Sequence, residues 1–378
     1  MAKRANSPTL QDLLGVIEEM APAALAESYD NPGLQIGDRM RPVKRILTAL
    51  EVTDAVIGEA KRRRAGTIVA HHPLFFLPIK RLDESDLVGH LARRLVREEI
   101  ALVAAHTNLD KSPEGTGPAL ARRLGLKSWE TLLPEAVGSQ FKYVVFVPVG
   151  HERKVIDAIA KAGGGVIGDY DHCTFRTPGT GTFRGNEKTN PTIGKAGRFE
   201  QAEEFRLEAA VPKPRLAAVI EAVRAAHPYE EVAFDVYPLE TPPGPWGLGV
   251  RATLEKKTTL RDWAQHVKRR LKVKSVKLVG DPKQAVRTVA LGTGACAFLI
   301  RQLAPPQVDC LVTGDVTYHL AVEAKAKGLG VIDAGHWATE VGIAKPLAEA
   351  LAKRLKARGL TVEVAATEAP DADPLVTI

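Results

Sequence analysis

Little in this chain of 378 residues points to a membrane, a disulfide framework or a base-stacking surface. Cysteine is scarce, and Cys173, Cys296 and Cys310 have no metal-ligand spacing. An odd handful of thiols suits a reducing cytosol better than a cross-linked fold. Aromatic residues make up 5%, too few to suggest platforms on which nucleic-acid bases stack. No run of ~18 apolar residues occurs, so no membrane span is expected. The opening MAKRANSPTLQDLL turns polar and helical too early for a secretory signal, and the expected location is cytoplasmic. Charge is mixed, with 52 basic against 45 acidic residues leaving +7. The densest basic run, Lys61–Arg64, reads as a solvated helix face, and no recognisable module for DNA or RNA accompanies it.

What the chain has instead is apolar residues, 45% of the total, enough for two or three domains. From Val43 to Leu126 short β-branched runs alternate with amphipathic segments, and the same pattern returns after about residue 258. That alternation predicts a parallel sheet with crossover helices, an α/β class fold. In the last part, ATEVGIAKPLAEALAKRLKARG reads as a long helix interrupted by Pro346. Between the halves the order is β-α-β-α-β, which suggests a ferredoxin-like α+β unit. Its Gly-, Thr- and Asn-rich middle, Gly163–Gly197, is too long for an ordinary loop and reads as a lid or hairpin arm. The expected organisation is a core in two parts, 1–135 and 243–366, an inserted domain at 136–242 and a loose tail at 367–378. TPPGPWG at Thr241–Gly247 reads as the hinge back into the core.

The chemistry collects at strand ends. TIVA ends in His71 and His72, IALVAA in His106-Thr107-Asn108-Leu109-Asp110, VDCLV in Thr313-Gly314-Asp315 with His319 four residues on, and LGVIDA in Gly335-His336 with Glu340 four residues on. An isolated HH pair is usually one packed and one exposed ring. Four strands finishing this way form a pattern, because ligands of α/β sheets sit beyond the carboxyl ends of the strands. Histidine with carboxylate and no thiolate suits Zn²⁺, Mn²⁺, Fe²⁺, Co²⁺ or Ni²⁺. His336 and Glu340 fall one turn apart if Gly335 opens a helix. One carboxylate can bridge two ions, and adjacent histidines can then serve one ion each.

DNPGLQIGD (Asp30–Asp38), AHHPL (Ala70–Leu74), HTNLD (His106–Asp110), TGDVTYH (Thr313–His319) and GHWATE (Gly335–Glu340) together resemble the Nif-three-like dinuclear-metal family, whose members often carry the label GTP cyclohydrolase 1 type 2. IGDYDHCTFRTPGTGTF, NPTIG and HPYEEVAFDVYPL resemble the inserted PII-like, or CutA-like, domain of its longer bacterial members. The resemblance implies a three-layer α/β/α core assembled from both halves of the chain. It implies two divalent ions per subunit held by His71, His72, Asp110, His336 and Glu340, with Glu340 bridging. His106, Asp315 and His319 would lie in the same pocket as orienting or proton-transfer groups. It further implies a ring-shaped homohexamer, a trimer of dimers, and either hydrolysis of a nucleotide-like small molecule or a non-catalytic, regulatory metal-binding role. Departures from the family pattern fall at Glu51, where Asp is usual, at the turn Gly292–Cys296, and at Val250.

Overall fold

Thr67–Ala70, Ala101–Ala104, Cys310–Thr313 and Gly330–Asp333 are strands buried at every position. Such strands need cover on both faces, and that need organises the fold. The computed structural model describes residues 8–135, 140–240, 244–369 and 373–376. The expected domain boundaries at 136 and 243, the first three hinge positions, and parts of both termini lie outside these residues.

The first part runs α1 (Leu10–Met20), β1 (Gly33–Ile36), β2 (Arg45–Ala49), α2 (Asp54–Arg63), β3 (Thr67–Ala70) and α3 (Leu87–Arg97). It continues through β4 (Ala101–Ala104), α4 (Thr107–Asp110), α5 (Thr116–Leu124) and β5 (Glu130–Pro134). The middle part is β6 (Gln140–Pro148), α6 (Glu152–Lys161), β7 (Thr174–Phe183), β8 (Glu200–Pro212), α7 (Leu216–Ala226) and β9 (Phe234–Leu239). The last part opens with β10 (Gly247–Thr259), α8 (Leu260–Leu271), β11 (Lys277–Val279), β12 (Ala285–Leu291) and β13 (Cys310–Thr313). It closes with α9 (Tyr318–Lys327), β14 (Gly330–Asp333), α10 (His336–Glu340), α11 (Ala344–Ala357) and β15 (Glu363–Ala366).

Two compact units result: 1–137 with 243–378, and 138–242. Four of the helix starts carry a side-chain cap. Thr9 and Asp12 form a reciprocal capping box on α1, and Thr53, Asp86 and Thr259 accept from the first turns of α2, α3 and α8. The expected long helix is two, α10 and α11, joined by a 3₁₀ turn. Pro346 does not interrupt α11 but sits in its first turn, where its missing N–H costs nothing.

The larger unit contains two sheets rather than one. One has the order β1-β4-β3-β2-β15 and the other β11-β14-β13-β12-β10-β5. In the first, β15, β2, β3 and β4 are parallel; in the second, β12, β13 and β14 are. α1 and α11 cover one face of the first sheet, and α2 and α3 the other. α5 and α8 cover the second sheet on one side, with the 3₁₀ turn Cys296–Arg301 and α9 on the other. Burying one Ile or Val such as Ile68 or Val69 contributes about 1.5–3 kcal/mol.

The smaller unit is a four-stranded sheet of order β7-β8-β6-β9, antiparallel throughout, with α6 and α7 packed on it. Its chain order is β-α-β-β-α-β, the split β-α-β of ferredoxin-like folds. The extra strand is β7, which lies inside the Gly163–Gly197 stretch and pairs with β8 from Thr174↔Ala209 to Phe183↔Glu200. It is an edge strand, which is why it tolerates Pro178.

Candidate metal centre

β3 and β4 are parallel neighbours in one sheet, and β13 and β14 in the other. His71 and His72 follow β3, and their amides bond to the carbonyls of Ala49, the last residue of β2, and of Leu50 after it. His106 follows β4, Asp315 follows β13, and Gly335 (φ 90°) turns the chain after β14 into α10. Trp337 on α10 packs against the cores of both sheets. The carboxyl edges of the two sheets thus serve one place, a cleft of about 1120 Å³.

Each of four imidazoles is held by its Nδ1. His71 Nδ1 donates to the Ala105 carbonyl at 2.9 Å, His72 Nδ1 to Glu51 at 2.5 Å, His106 Nδ1 to Asp30 at 2.8 Å, and His336 Nδ1 to Asp315 at 2.7 Å. That is how metal-bound histidines are usually oriented. His72 Nε2 and His336 Nε2 each lie 3.0 Å from Glu340 Oε2. His71 Nε2 is fully buried with no hydrogen-bond partner, 3.6 Å from Asp110 and 4.0 Å from Glu340. A buried nitrogen left open among carboxylates is what a bound cation would satisfy. Ligand atoms of three overlapping groups converge to metal-holding distances: His71, His72 and His106; His72, His336 and Glu340; His71, Asp110 and Glu340.

Electrostatics divide the rings into two kinds. Burial holds His71 at about 3, hence neutral. Burial opposes charge on His72 too, but hydrogen bonds to Glu340 and Glu51 outweigh it and raise its pKa to about 10. The hydrogen bond to Glu340 raises His336 to about 9 against burial, with Asp315 adding to it. Glu340 is buried, yet the hydrogen bonds from His336 and His72 keep its carboxyl well below the usual range. Asp110 is lifted to about 7 by burial and by Glu340, against a hydrogen bond from Thr116. Eight carboxylates line the cleft (of Glu27, Glu51, Asp54, Asp110, Asp315, Asp333, Glu340 and Asp373) against two lysines. A donor set of this composition fits a divalent cation of borderline hardness.

Small residues make the room. Gly294 (φ 57°) lies so close to Glu340 that a β-carbon would stand 2.0 Å from Oε1. Its N–H donates to Thr339 Oγ1 at 2.9 Å, tying that turn to α10. Asp315 holds a left-handed backbone (φ 55°) while gripping His336, a conformation that aspartate adopts more readily than most residues.

Of the residues expected at the site, His71, His72, His106, Asp110, Asp315, His336 and Glu340 come together. His319 does not join them: it is exposed on the first turn of α9, with its ring against Tyr318 at 5.5 Å. Asp315 acts through His336. Sequence reasoning gave no role to Asp30, Glu51 or Gly294. Asp30 was visible as the start of a quoted motif; Glu51 stood out only as a departure.

Comparison with known proteins gives the family. The Duf34/NIF3 (NGG1p interacting factor 3) family model matches residues 8–372. The chain belongs to the Duf34/NIF3 family. A GTP cyclohydrolase 1 type 2 homolog of Halalkalibacterium halodurans is 37% identical over 357 residues, covering 94% of this chain and 96% of the relative. That of Bacillus subtilis is 38% identical over 341 residues, 90% and 91% of the two chains. Among solved structures, a Bacillus cereus protein related to NIF3 superposes with a TM-score of 0.77 at 38% identity, covering 99% of this chain and 100% of that one. A Staphylococcus aureus protein gives 0.81 at 29% identity with the same coverage. Among the described residues of this family member, no helix is long and apolar enough to cross a membrane.

Proposed function

We propose that the chain is a metal-dependent hydrolase holding two divalent ions and acting on a nucleotide-like small molecule. The observation that carries this reading is the open, buried His71 Nε2 within a set of Nδ1-anchored imidazoles grouped around Glu340. His71, Asp110 and Glu340 would hold one ion, and His72, His336 and Glu340 the other, with Glu340 shared. Bound ions of this kind act as Lewis acids and bring the pKa of water towards ~7. The curated relatives' name, GTP cyclohydrolase 1 type 2 homolog, supports a nucleotide as the first substrate to try.

The chain's own residues divide the remaining work. Asp30 anchors His106 through Nδ1 and leaves Nε2 beside His71 and His72, so His106 is the residue we assign to proton transfer. Tyr29 and Phe76 meet edge to face at 6.2 Å, and Phe76 stands against His106 at 5.9 Å. This aromatic wall suits a flat base. Asp315 and Glu51 orient His336 and His72. His319 has no part in the assignment. Exposed apolar Leu77, Ile79, Leu82 and Leu87 support self-association, which we read as the homohexameric ring, to be checked by light scattering of the purified chain.

The test is turnover of GTP and other nucleotides by protein stripped of metal and then reloaded with Zn²⁺, Mn²⁺, Fe²⁺, Co²⁺ or Ni²⁺. Turnover should depend on the ion, and His106→Asn should lower it on the order of 10²–10⁴-fold. If the reloaded wild type turns over nothing, a regulatory metal-binding ring is the better reading. The separate cleft in the inserted unit, which we read as PII-like, favours that second reading.

A further inference from the structure

The inserted unit has a cleft of its own, about 440 Å³, and nothing in the hydrolase reading uses it. Phe146 on β6, Phe183 on β7 and Tyr229 from the HPYEE motif supply aromatic walls. Its outer wall is the segment after β7, which is tied down rather than loose. Asn190 N–H donates to Glu230 at 3.1 Å, Thr192 Oγ1 to the Pro228 carbonyl at 2.7 Å, and Arg184 Nε to the Gly197 carbonyl at 3.0 Å. His227 fixes the opposite wall, with Nε2 donating to the Phe146 carbonyl at 2.9 Å and Nδ1 accepting from Tyr229 N–H at 3.1 Å. Those roles make His227 a neutral ring, in keeping with burial lowering its pKa.

Glu204 of β8 also lines this cleft. Its carboxylate lies over the α-carbon of Gly181, where a β-carbon would come within 2.2 Å of Oε2. It forms no ion pair with any described residue. The buried Tyr229 hydroxyl beside it makes no hydrogen bond of ordinary geometry, and burial and Glu204 keep it protonated. The other charges facing the cleft are Glu230 and Glu231, against Arg184 alone. A partly buried carboxylate without a cation, set among three aromatic rings, is a site short of positive charge. Phosphate would meet three carboxylates and one guanidinium. A metal ion is no better served, because every metal-holding group among the described residues lies in the other unit.

We propose that this cleft binds a small organic cation, an amine or guanidinium on an apolar body, with Glu204 taking its N–H groups and the aromatic rings its body. The inference stands independently of the hydrolase reading. Isothermal titration of the full-length, metal-loaded protein with phenethylamine and agmatine tests it, with 3-phenylpropionate as the matched anion. At least one cation should bind saturably and the anion should not. Glu204→Gln should weaken cation binding about tenfold or more, as loss of a charge-assisted hydrogen bond does. Phe183→Ala, which leaves Glu204 in place, should weaken it about threefold. Circular dichroism confirms that both variants are folded. Absence of saturable binding by either cation, equal binding of 3-phenylpropionate, or wild-type affinity in Glu204→Gln would overturn the proposal.

Discussion

The two clefts treat carboxylates in opposite ways. In the larger unit Glu340 is answered by His72 and His336, and those rings are answered in turn by Glu51 and Asp315. In the inserted unit Glu204 faces aromatic rings without a cation. The first arrangement balances its charge with protons that an incoming ion can displace. The second keeps its charge unpaired. The same residue type is thus prepared for exchange in one place and for capture in the other, and the difference lies in the neighbours.

The comparison breaks first at Glu340. Glu340→Ala removes the group shared by His71, His72 and His336, and bound metal should fall more than ~100-fold in affinity, exceeding the loss typical of an outer orienting group. Elemental analysis after dialysis reads this directly; full metal content would remove Glu340 from the site.

Next comes pH. Without metal, His72 and His336 are held protonated at neutral pH, with values raised to about 10 and about 9. Each must lose its Nε2 proton to bind an ion, and Asp110, lifted to about 7, gives up the part of a proton it holds at neutral pH, so metal uptake should release between about two and three protons per chain. Affinity should therefore rise with pH, by about a hundredfold or more per unit around neutrality, and fall as acid is added. Titration in two buffers of different ionisation enthalpy counts the protons, and a count of zero would contradict the assigned charge states.

Smaller effects are expected from the anchors. Asp315→Ala and Glu51→Ala should each cost about 10–100-fold in metal affinity while full stoichiometry returns at high ion concentration. The smallest effect belongs to the inserted unit. Tyr143 is buried with a hydroxyl that has no partner, and burial pushes its pKa to about 12. Tyr143→Phe should change unfolding stability by no more than ~0.5 kcal/mol, or raise it slightly. A large loss in denaturant titration would show that this hydroxyl is engaged.

The candidate metal centre was legible as a cluster because strand termini can be located from apolar runs, and α/β sheets place ligands there. His71, His72, His106, Asp110, His336 and Glu340 all follow from that rule. His319 did not, because a helix starts between it and Asp315 and sets it on an exposed turn. The second sheet was hidden, since alternating strands and helices look the same whether they feed one sheet or two. β7 was hidden as well: Pro178 and its glycines belong to an edge strand that is mostly exposed, so it lacks the apolar alternation that marks other strands. Glu51 and Asp30 lie far in sequence from the rings beside them, at separations of 21 and 76 residues.

The pairing at the edges of the inserted unit bears on how the chain is made. His72 and Glu340 are 268 residues apart, so the candidate metal centre closes only after nearly the whole chain has been synthesised. Gln140 and Leu239 are directly paired across β6 and β9, and in the larger unit Pro134 is paired with Gly247. Once the inserted unit folds, a connection of roughly a hundred residues behaves as a short clasp, and most of its loop-closure entropy is already spent. An inserted unit that folds as it emerges would bring the two stretches that flank it, Pro134 and Gly247, into reach of each other.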